Sequence, residues 1–549
     1  MLWPPISRMP EYRFYERGRR FIDFTEAANR AAAALGDSIP FPLVPPWWRR
    51  LLTFVWLLMR LRKKPRLPEP PPPNPNRLWW AGLHLPLSEA TGHFLIIGSS
   101  GSGKSLTIDS LEQSALRHFR PGSDQRAFIF DLKREKYSRL MNQKLSVPVH
   151  LMDPMDQRGV AWDIASDVTS PAEARQLARV LIQGGKNESD RFWIEATRNI
   201  LGGVFTVFAE LFPNRWTLRD ALLVMRHPKR IAHVLSLLPE TSHLWSEDCR
   251  DEKTTANLME SFNSFLQRYD VVAAVWHRCP RKLSLKEWVK SDSVLLVPGH
   301  PKFAAVLQPI HQAIIDFLAD LVLSEPDSHT RRSWFFLDEA RDLGRVEKLN
   351  RLANLGRSKG VSLVLGIQSI EGFTEAYGSE HLAREILANL SNVSWLRTSS
   401  AHTADAFVKF FGEVEILVRK INSSTSYNSK GGTTYGTSIE ETRRMEKARL
   451  GSELMGIPRP SESQPVVMFN DVPRIGSFVA YVPVRNFLER NVPPDPRIPN
   501  VIEVLPKEMT LPEWKPADAK RLRLPPEFLR LPNSQPDLLL AQLKTIQND

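Results

Sequence analysis

The feature that most constrains this chain is the run Phe94-Leu-Ile-Ile-Gly-Ser-Ser-Gly-Ser-Gly-Lys-Ser-Leu-Thr-Ile108, which joins a buried strand to a helix through a glycine-rich loop. Four apolar residues, Phe94 to Ile97, read as a short strand covered on both faces, and Gly98 through Ser105 satisfy the spacing G-x-x-x-x-G-K-[ST]. Such a loop turns backbone N–H groups and a helix N-terminus toward phosphate oxygens. Gly98, Ser99, Ser100, Gly101, Ser102, Gly103, Lys104 and Ser105 are therefore candidate ligands of ATP. Lys104 is assigned to the β- and γ-phosphates and the Ser105 hydroxyl to Mg2+. A Gly/Ser loop with a stray lysine is the alternative, and the strand before it and helix after it argue against that.

The second half of a nucleotide site is expected far downstream. Arg332-Ser-Trp-Phe-Phe-Leu-Asp-Glu339 is a hydrophobic strand capped by two acids; Asp338 is a candidate for the Mg2+ shell and Glu339 for polarising the attacking water. The next buried strand, Val361 to Ile367, ends at Gln368, a candidate to position water or sense the γ-phosphate. Arg126 to Asp131 reads as a further strand, with Asp131 and Lys133 at its carboxyl end as a functional pair or a local ion pair. Strand Ser293 to Val297 leads into a long apolar helix, Phe303 to Leu323.

Composition bounds the rest. A chain of 549 residues with 42% apolar and 24% charged content can bury two or three cores. Its two cysteines, Cys249 and Cys279, have no His/Cys cluster around them, which excludes a disulfide framework or a zinc site and suits a reducing compartment. The net charge is +12, and residues 1–66 hold thirteen Lys/Arg against five Asp/Glu. That segment reads as facing lipid headgroups or nucleic acid, or as a solvated charged face. Within 1–64 no secretory signal precedes a helix from Asp23 to Leu35 ended by Gly36. Trp47 to Lys64 holds nine largely apolar residues between arginines, short of the roughly twenty needed to span a bilayer. It fits an interfacial helix on an anionic membrane, a helix docking on a membrane partner, or core packing.

Residues 65–76 are a proline-rich linker. The expected organisation beyond it is a nucleotide-binding sheet domain in two parts, 77–169 and 291–485, with an all-α domain at 170–290 inserted between them, and a proline-rich tail at 486–549. Asn422 to Ser438 is expected as a mobile loop and Gln464 to Val484 as a terminal hairpin. The tail is expected to be partly disordered, with one short helix at Pro536 to Ile546.

In their order, Phe130-Asp-Leu-Lys133, Asp153-Pro154, Trp162-Asp163, Phe192-Trp193, Leu337-Asp-Glu-Ala340, Gly356-Arg-Ser-Lys-Gly360 and Gly366-Ile-Gln-Ser369 carry a resemblance to a known family. From roughly Gly82 to Val484 the chain resembles the conjugative type IV secretion coupling proteins of the TraD/TrwB type, within the larger FtsK/HerA class of P-loop ATPases. The resemblance implies an α/β, RecA-like P-loop NTPase sheet domain with an all-α domain. It implies a homo-hexameric, membrane-associated ATPase that links DNA bearing a relaxase to a type IV secretion channel. Family members usually carry N-terminal transmembrane helices, where this sequence has only the Arg-flanked segment at 47–64. The expected location is accordingly cytoplasmic, peripheral at the inner membrane. A HerA/FtsK-like DNA translocase without a secretion role and an ATP-gated cargo-recruitment platform are the alternatives. A ring of this type implies a cation supplied to the γ-phosphate by the neighbouring subunit, for which Arg357 is the candidate, with Arg351, Arg443 and Arg444 as others.

Overall fold

Strands buried on both faces need no alternation of polar and apolar residues, and the continuous apolar runs of this sequence fold accordingly. The computed structural model describes residues 12–36, 76–182, 191–248, 252–427 and 433–531. These fall into two compact units. One comprises Met1–Ala115, Gly366–Glu375 and Leu390–Asn491; the other comprises Leu116–Leu365, Ala376–Asn389 and Val492–Asp549.

In the first unit the fully buried strand Phe94–Ile97 pairs in parallel with Asn392–Trp395, in the register Asn392↔Phe94 to Trp395↔Ile97. Asn392–Trp395 pairs on its other side with the hairpin Val466–Val472 and Gly476–Val482, where the alternating sequence places a hairpin. The two-residue strand Phe21–Ile22 closes that edge. The helix Lys104–Leu116 buries Ile108, Leu111 and Ala115 together with Thr107, Ser110, Glu112 and Gln113, so it is enclosed on nearly every side. Helix Phe24–Leu35 starts where Asp23 accepts the Glu26 N–H at 2.7 Å and stops at Gly36, whose φ of 67° satisfies the last carbonyls in a left-handed cap.

One segment differs from its expectation. Of the Ser/Thr/Gly stretch 422–438, the described residues 422–427 and 433–438 are strand and not loop, part of a long ribbon, Glu413–Tyr427 against Thr433–Lys447, in register from Glu413↔Lys447 to Tyr427↔Thr433. The ribbon's base is widened by Tyr12–Gly18, which pairs antiparallel with Val414–Arg419. The stretch supplies its own ladder, since Asn422 to Tyr427 pair with Thr433 to Ser438, and Ser and Thr side chains are compatible with an extended pair that composition alone does not announce.

In the second unit the parallel strands lie in the order Val361–Ile367, Arg332–Leu337, Gln125–Asp131, Val294–Pro298, Val149–Leu151. The last two residues of Val361–Ile367 already belong to the first unit. The register Leu337↔Phe130 and Val297↔Phe130 brings Asp131, Pro298 and Asp338 to one carboxyl edge. From Pro171 to Arg278 the described chain is helical, beginning with Pro171–Leu181, which a Ser170/Glu173 capping box opens, and Arg191–Leu211. Helix Ala304–Ser324 lies beneath the strands with most of its length buried. Among the described residues the segment Pro301–Ser324 alone is long and apolar enough to cross a membrane, and 78% of its apolar window is buried in the protein.

Within the proline-rich tail, residues 492–531 are held on the second unit. Proline-rich chain offers few N–H donors but keeps its carbonyls, and arginines reach them. Arg158 donates to Pro499 O at 2.8 Å, Arg278 to Thr510 O at 2.9 Å, and Arg230 to Phe528 O at 2.8 Å. Trp514 Nε1 and Arg521 both donate to the buried Asp220, at 2.9 and 3.0 Å. The segments at 47–64 and 536–546, and all but Asn76 of the linker 65–76, lie outside the described residues.

Candidate functional site

The glycine loop closes on itself and on two strand ends of its own unit. Ser102 N–H donates to Ser99 O at 3.1 Å, Gly98 N–H to Ile367 O at 3.1 Å, and Ser99 N–H to Arg397 O at 2.9 Å. Ser399 N–H donates to Ser99 Oγ at 3.1 Å. The loop's three glycines are required for different reasons. Gly101 has φ +74° with open space around it, whereas a Cβ on Gly98 would lie 2.5 Å from Ser102 Oγ. Gly103 combines both constraints, with φ +97° and Val466 Cγ1 at 2.8 Å from where a Cβ would sit. Ser100 and Gly101 are exposed at the tip, Ser99, Gly103 and Ser105 are half-buried, and Lys104 is only 4% exposed at the first turn of its helix. The Ser102 hydroxyl is buried without a hydrogen-bond partner among the described residues. Compact backbone with a buried hydroxyl, a lysine and a helix N-terminus makes a cradle for an anion.

Gln368 is exposed and follows the very carbonyl, Ile367 O, that Gly98 holds, so it sits at the mouth of the loop. Sequence reading did not foresee Arg397 and Ser399, which pin the loop from the end of the neighbouring strand. Their signal was available only as a polar run directly after a buried strand parallel to Phe94–Ile97. Nor did it foresee that His93, immediately before that strand, is buried with φ +56°.

The acid-capped strand is built in the second unit. Strand Arg332–Leu337 is buried throughout and delivers Asp338 half-buried and Glu339 9% exposed at its carboxyl end. Glu339 has φ +59°, a left-handed conformation that costs a residue with a Cβ roughly 1–2 kcal/mol. Asp338 Oδ1 accepts the Glu339 N–H at 3.0 Å, and Glu339 O accepts the Asp342 N–H at 2.9 Å, so the turn is held on both sides of the strained residue. The loop that follows is strapped to helix Ala304–Ser324. Gln308 and Gln312 donate to the carbonyls of Asp342 and Leu343 at 3.0 and 2.6 Å, and the Lys348 N–H donates to Asp316 Oδ1 at 2.9 Å. Gly344 lies against both glutamines with φ +67°, and a Cβ there would come within 2.7 Å of Gln308 Nε2. Burial pushes the Asp316 carboxyl up to about 6, opposed by its bond from the Lys348 N–H.

Asp131 is buried and accepts the Lys136 N–H at 2.7 Å, shaping the turn after its strand, while Lys133 is exposed. Nearby, Arg134 and Asp153 form a buried pair at 2.8 Å. Arg357 lies exposed in the turn Gly356–Lys359 that enters strand Val361–Ile367. Because Ser333 pairs with Val361 and Leu337 with Leu365, Arg357 is at the end of the strand pair opposite to Asp338 and Glu339. The same chain thus does not bring them together. Arg351 is exposed on helix Leu349–Leu355; Arg443 and Arg444 are on the ribbon, and Arg444 pairs with Glu446 at 2.7 Å.

Parallel strands covered by helices, a glycine loop between strand and helix, and acids at a strand's carboxyl end define the RecA-like class of P-loop α/β proteins. Residues 77–475 match the family described as the type IV secretion-system coupling protein DNA-binding domain, and the chain belongs to that family. It is 24% identical over 365 residues to the coupling protein TraD of Escherichia coli (strain K12), covering 63% of this chain and 48% of TraD. It is 26% identical over 149 residues to the conjugal transfer protein TraG of Rhizobium radiobacter, covering 27% of this chain and 22% of TraG. The chain therefore spans about half the length of TraD and less of TraG. Among solved structures it is similar in fold to the bacterial conjugative coupling protein TrwBdeltaN70 in its unbound monoclinic form, with TM-score 0.62 and 17% identity over 91% of this chain and 98% of the other. The plasmid coupling protein TrwB in complex with ADP and Mg2+ gives a TM-score of 0.62 at 17% identity, over 90% and 98%.

Proposed function

We propose that this protein is an ATP-driven coupling ATPase that delivers DNA, with a bound relaxase, to a type IV secretion channel, working as a homo-hexamer at the cytoplasmic face of a membrane. The observation that carries the reading is the loop Gly98–Ser105 with Gln368 at its mouth, in a chain of the coupling-protein family that also presents Asp338 and strained Glu339 at a strand end. Relatives of that family are named for coupling and conjugal transfer, and TrwB has been solved with ADP and Mg2+.

The residues fit the nucleotide and its metal. The loop excludes side chains at Gly98 and Gly103, and leaves a buried hydroxyl on Ser102 without a partner among the described residues. In this reading Gly98 to Ser105 hold the phosphates of ATP, and Ser105 and Asp338 hold Mg2+, which supplies charge neutralisation on the phosphates. Lys104 neutralises the β- and γ-phosphates, Glu339 takes or orients the proton of the attacking water, and Gln368 positions that water. Arg357, remote from its own chain's acids, serves the neighbouring subunit in a ring. Positioning and electrostatics then carry the reaction, because phosphoryl transfer asks little covalent chemistry of the protein. The test is the steady-state ATPase rate against protein concentration, with single-stranded, double-stranded and no DNA. A rate that rises with concentration and with DNA supports a DNA-coupled ring; measurable turnover indifferent to DNA sinks the delivery reading, and absence of turnover sinks the ATPase.

A further inference from the structure

A cleft of about 1170 Å3 opens in the second unit between helix Pro171–Leu181 and the strap that follows Glu339. One wall presents Arg175 and Arg179, and the other presents Gly344, Arg345 and Lys348, with Gln308 and Gln312 at the strap's anchor. Five basic residues line it against three acidic ones. Most of the cations are engaged: Arg198 bonds Glu195 at 2.6 Å, Arg345 bonds Glu347 at 3.0 Å, and Lys348 bonds Asp320. Arg175 and Arg179 are exposed and carry no ion pair among the described residues.

Their helix is firmly placed. Ala174, Leu177, Ala178 and Leu181 are buried on its other face, and Gln176 donates to Asp320 at 2.8 Å. The Arg175 stem packs against Gly202 of helix Arg191–Leu211, where a Cβ would lie 3.4 Å from Arg175 Cα and Cγ. Spaced i, i+4, the two guanidinium stems start about 5–6 Å apart, near the spacing of successive phosphates on an extended strand. No aromatic side chain lines the cleft, so it offers charge and no surface on which bases stack. Its volume only slightly exceeds that of clefts holding one small ligand, about 300–1,000 Å3, which suits a few nucleotides of a single strand.

We infer that this cleft is a backbone-reading site for single-stranded DNA, in which Arg175 and Arg179 contact successive phosphates without regard to sequence. The inference rests on the reading that the chain acts on DNA and names where it does so. An occupant touches the strap, whose Asp342 and Leu343 carbonyls are held by the glutamines of Ala304–Ser324 and whose start is Glu339. DNA in the cleft therefore bears on the loop that positions the proposed catalytic acid.

The experiment is fluorescence anisotropy of the full chain with random-sequence single- and double-stranded oligonucleotides across a salt series. It compares wild type, Arg175→Gln/Arg179→Gln, the two single Gln variants, and Arg175→Lys/Arg179→Lys. Losing two phosphate contacts should weaken single-strand binding about tenfold and lower the slope of log K against log salt by about 1.4, and each single variant should lower it by about 0.7. The Lys pair should keep the slope, since it keeps the charge. Binding of a non-hydrolysable ATP analogue identifies any variant that has lost its fold, in which case the Lys pair and the single variants decide. If wild type binds DNA and the Gln variants match it in affinity and slope, the cleft is not the site. If the loss appears on duplex alone, the assignment to a single strand is wrong. If wild type binds no DNA, this inference and the delivery reading both fall.

Discussion

The Gly98 N–H donates to Ile367 O at 3.1 Å, so the first residue of the phosphate loop and the end of the strand Val361–Ile367 are locked together in one unit. That bond fixes where Gln368 starts.

From it follows that Gln368→Ala should leave nucleotide-analogue affinity within about twofold and lower kcat on the order of 10²-fold, because only the placement of the attacking water is lost. Equal kcat in the variant would assign the exposed glutamine a surface role. Parallel losses in kcat and affinity would mean that it helps shape the loop itself.

Glu339 is both proposed catalyst and strained residue, and the two roles separate by substitution. Glu339→Gln should bind ATP and turn over slowly, whereas Lys104→Ala should lose binding or hydrolysis through the missing charge. Glu339→Gly should be as inactive as the Gln variant yet unfold at no lower temperature than wild type, because a glycine relaxes φ +59° and offsets roughly 1–2 kcal/mol of strain against its own entropy. A marked drop in Tm for the Gly variant would show that the buried side chain, 9% exposed, holds the fold together.

Arg357 lies at the strand end opposite to Asp338 in its own chain. Arg357→Ala should therefore bind ATP and hydrolyse it poorly, on the order of 10³-fold below wild type for a lost arginine finger. Mixing it with Lys104→Ala subunits that keep their Arg357 should restore part of the rate. Mixed rings that form and remain inactive would retire the assignment.

The Asp316 carboxyl, pushed up to about 6 by burial from the ordinary 3.8, gives a pH prediction. A buried acid with a raised pKa holds its proton more tightly folded than unfolded, so its stabilising contribution is full below about pH 4 and is lost as the pH rises through 6. Lys348, Glu347 and Asp320 are the charges that face it. Asp316→Asn keeps the acceptor for the Lys348 N–H and cannot ionise. It should unfold at higher temperature than wild type at pH 7, by on the order of 1–3 kcal/mol, and the difference should vanish at pH 4. A constant difference across that range would place the effect elsewhere than in the carboxyl.

Adjacent residues determined much of this protein. Phe94 to Ser105 announced a strand, a glycine turn and a helix because each of those needs only local chemistry: an apolar run, positive φ at Gly101 and Gly103, and a helix start at Lys104. The acid-capped strand at Asp338, the strand ending at Gln368, the early helix with its Gly36 stop and the hairpin near 466–482 were legible for the same reason. What only the tertiary structure decided are the relationships between residues far apart in sequence. No local pattern says that Ile367 and Arg397 would pin the loop, or that Tyr12–Gly18 would pair with Val414–Arg419 at the base of the ribbon. Nor does a proline-rich tail disclose that Arg158, Arg230 and Arg278 will take its carbonyls. The left-handed Glu339 belongs with these, since strain at one residue persists only where distant groups, here Gln308 and Gln312 on another helix, hold the chain on the far side of it.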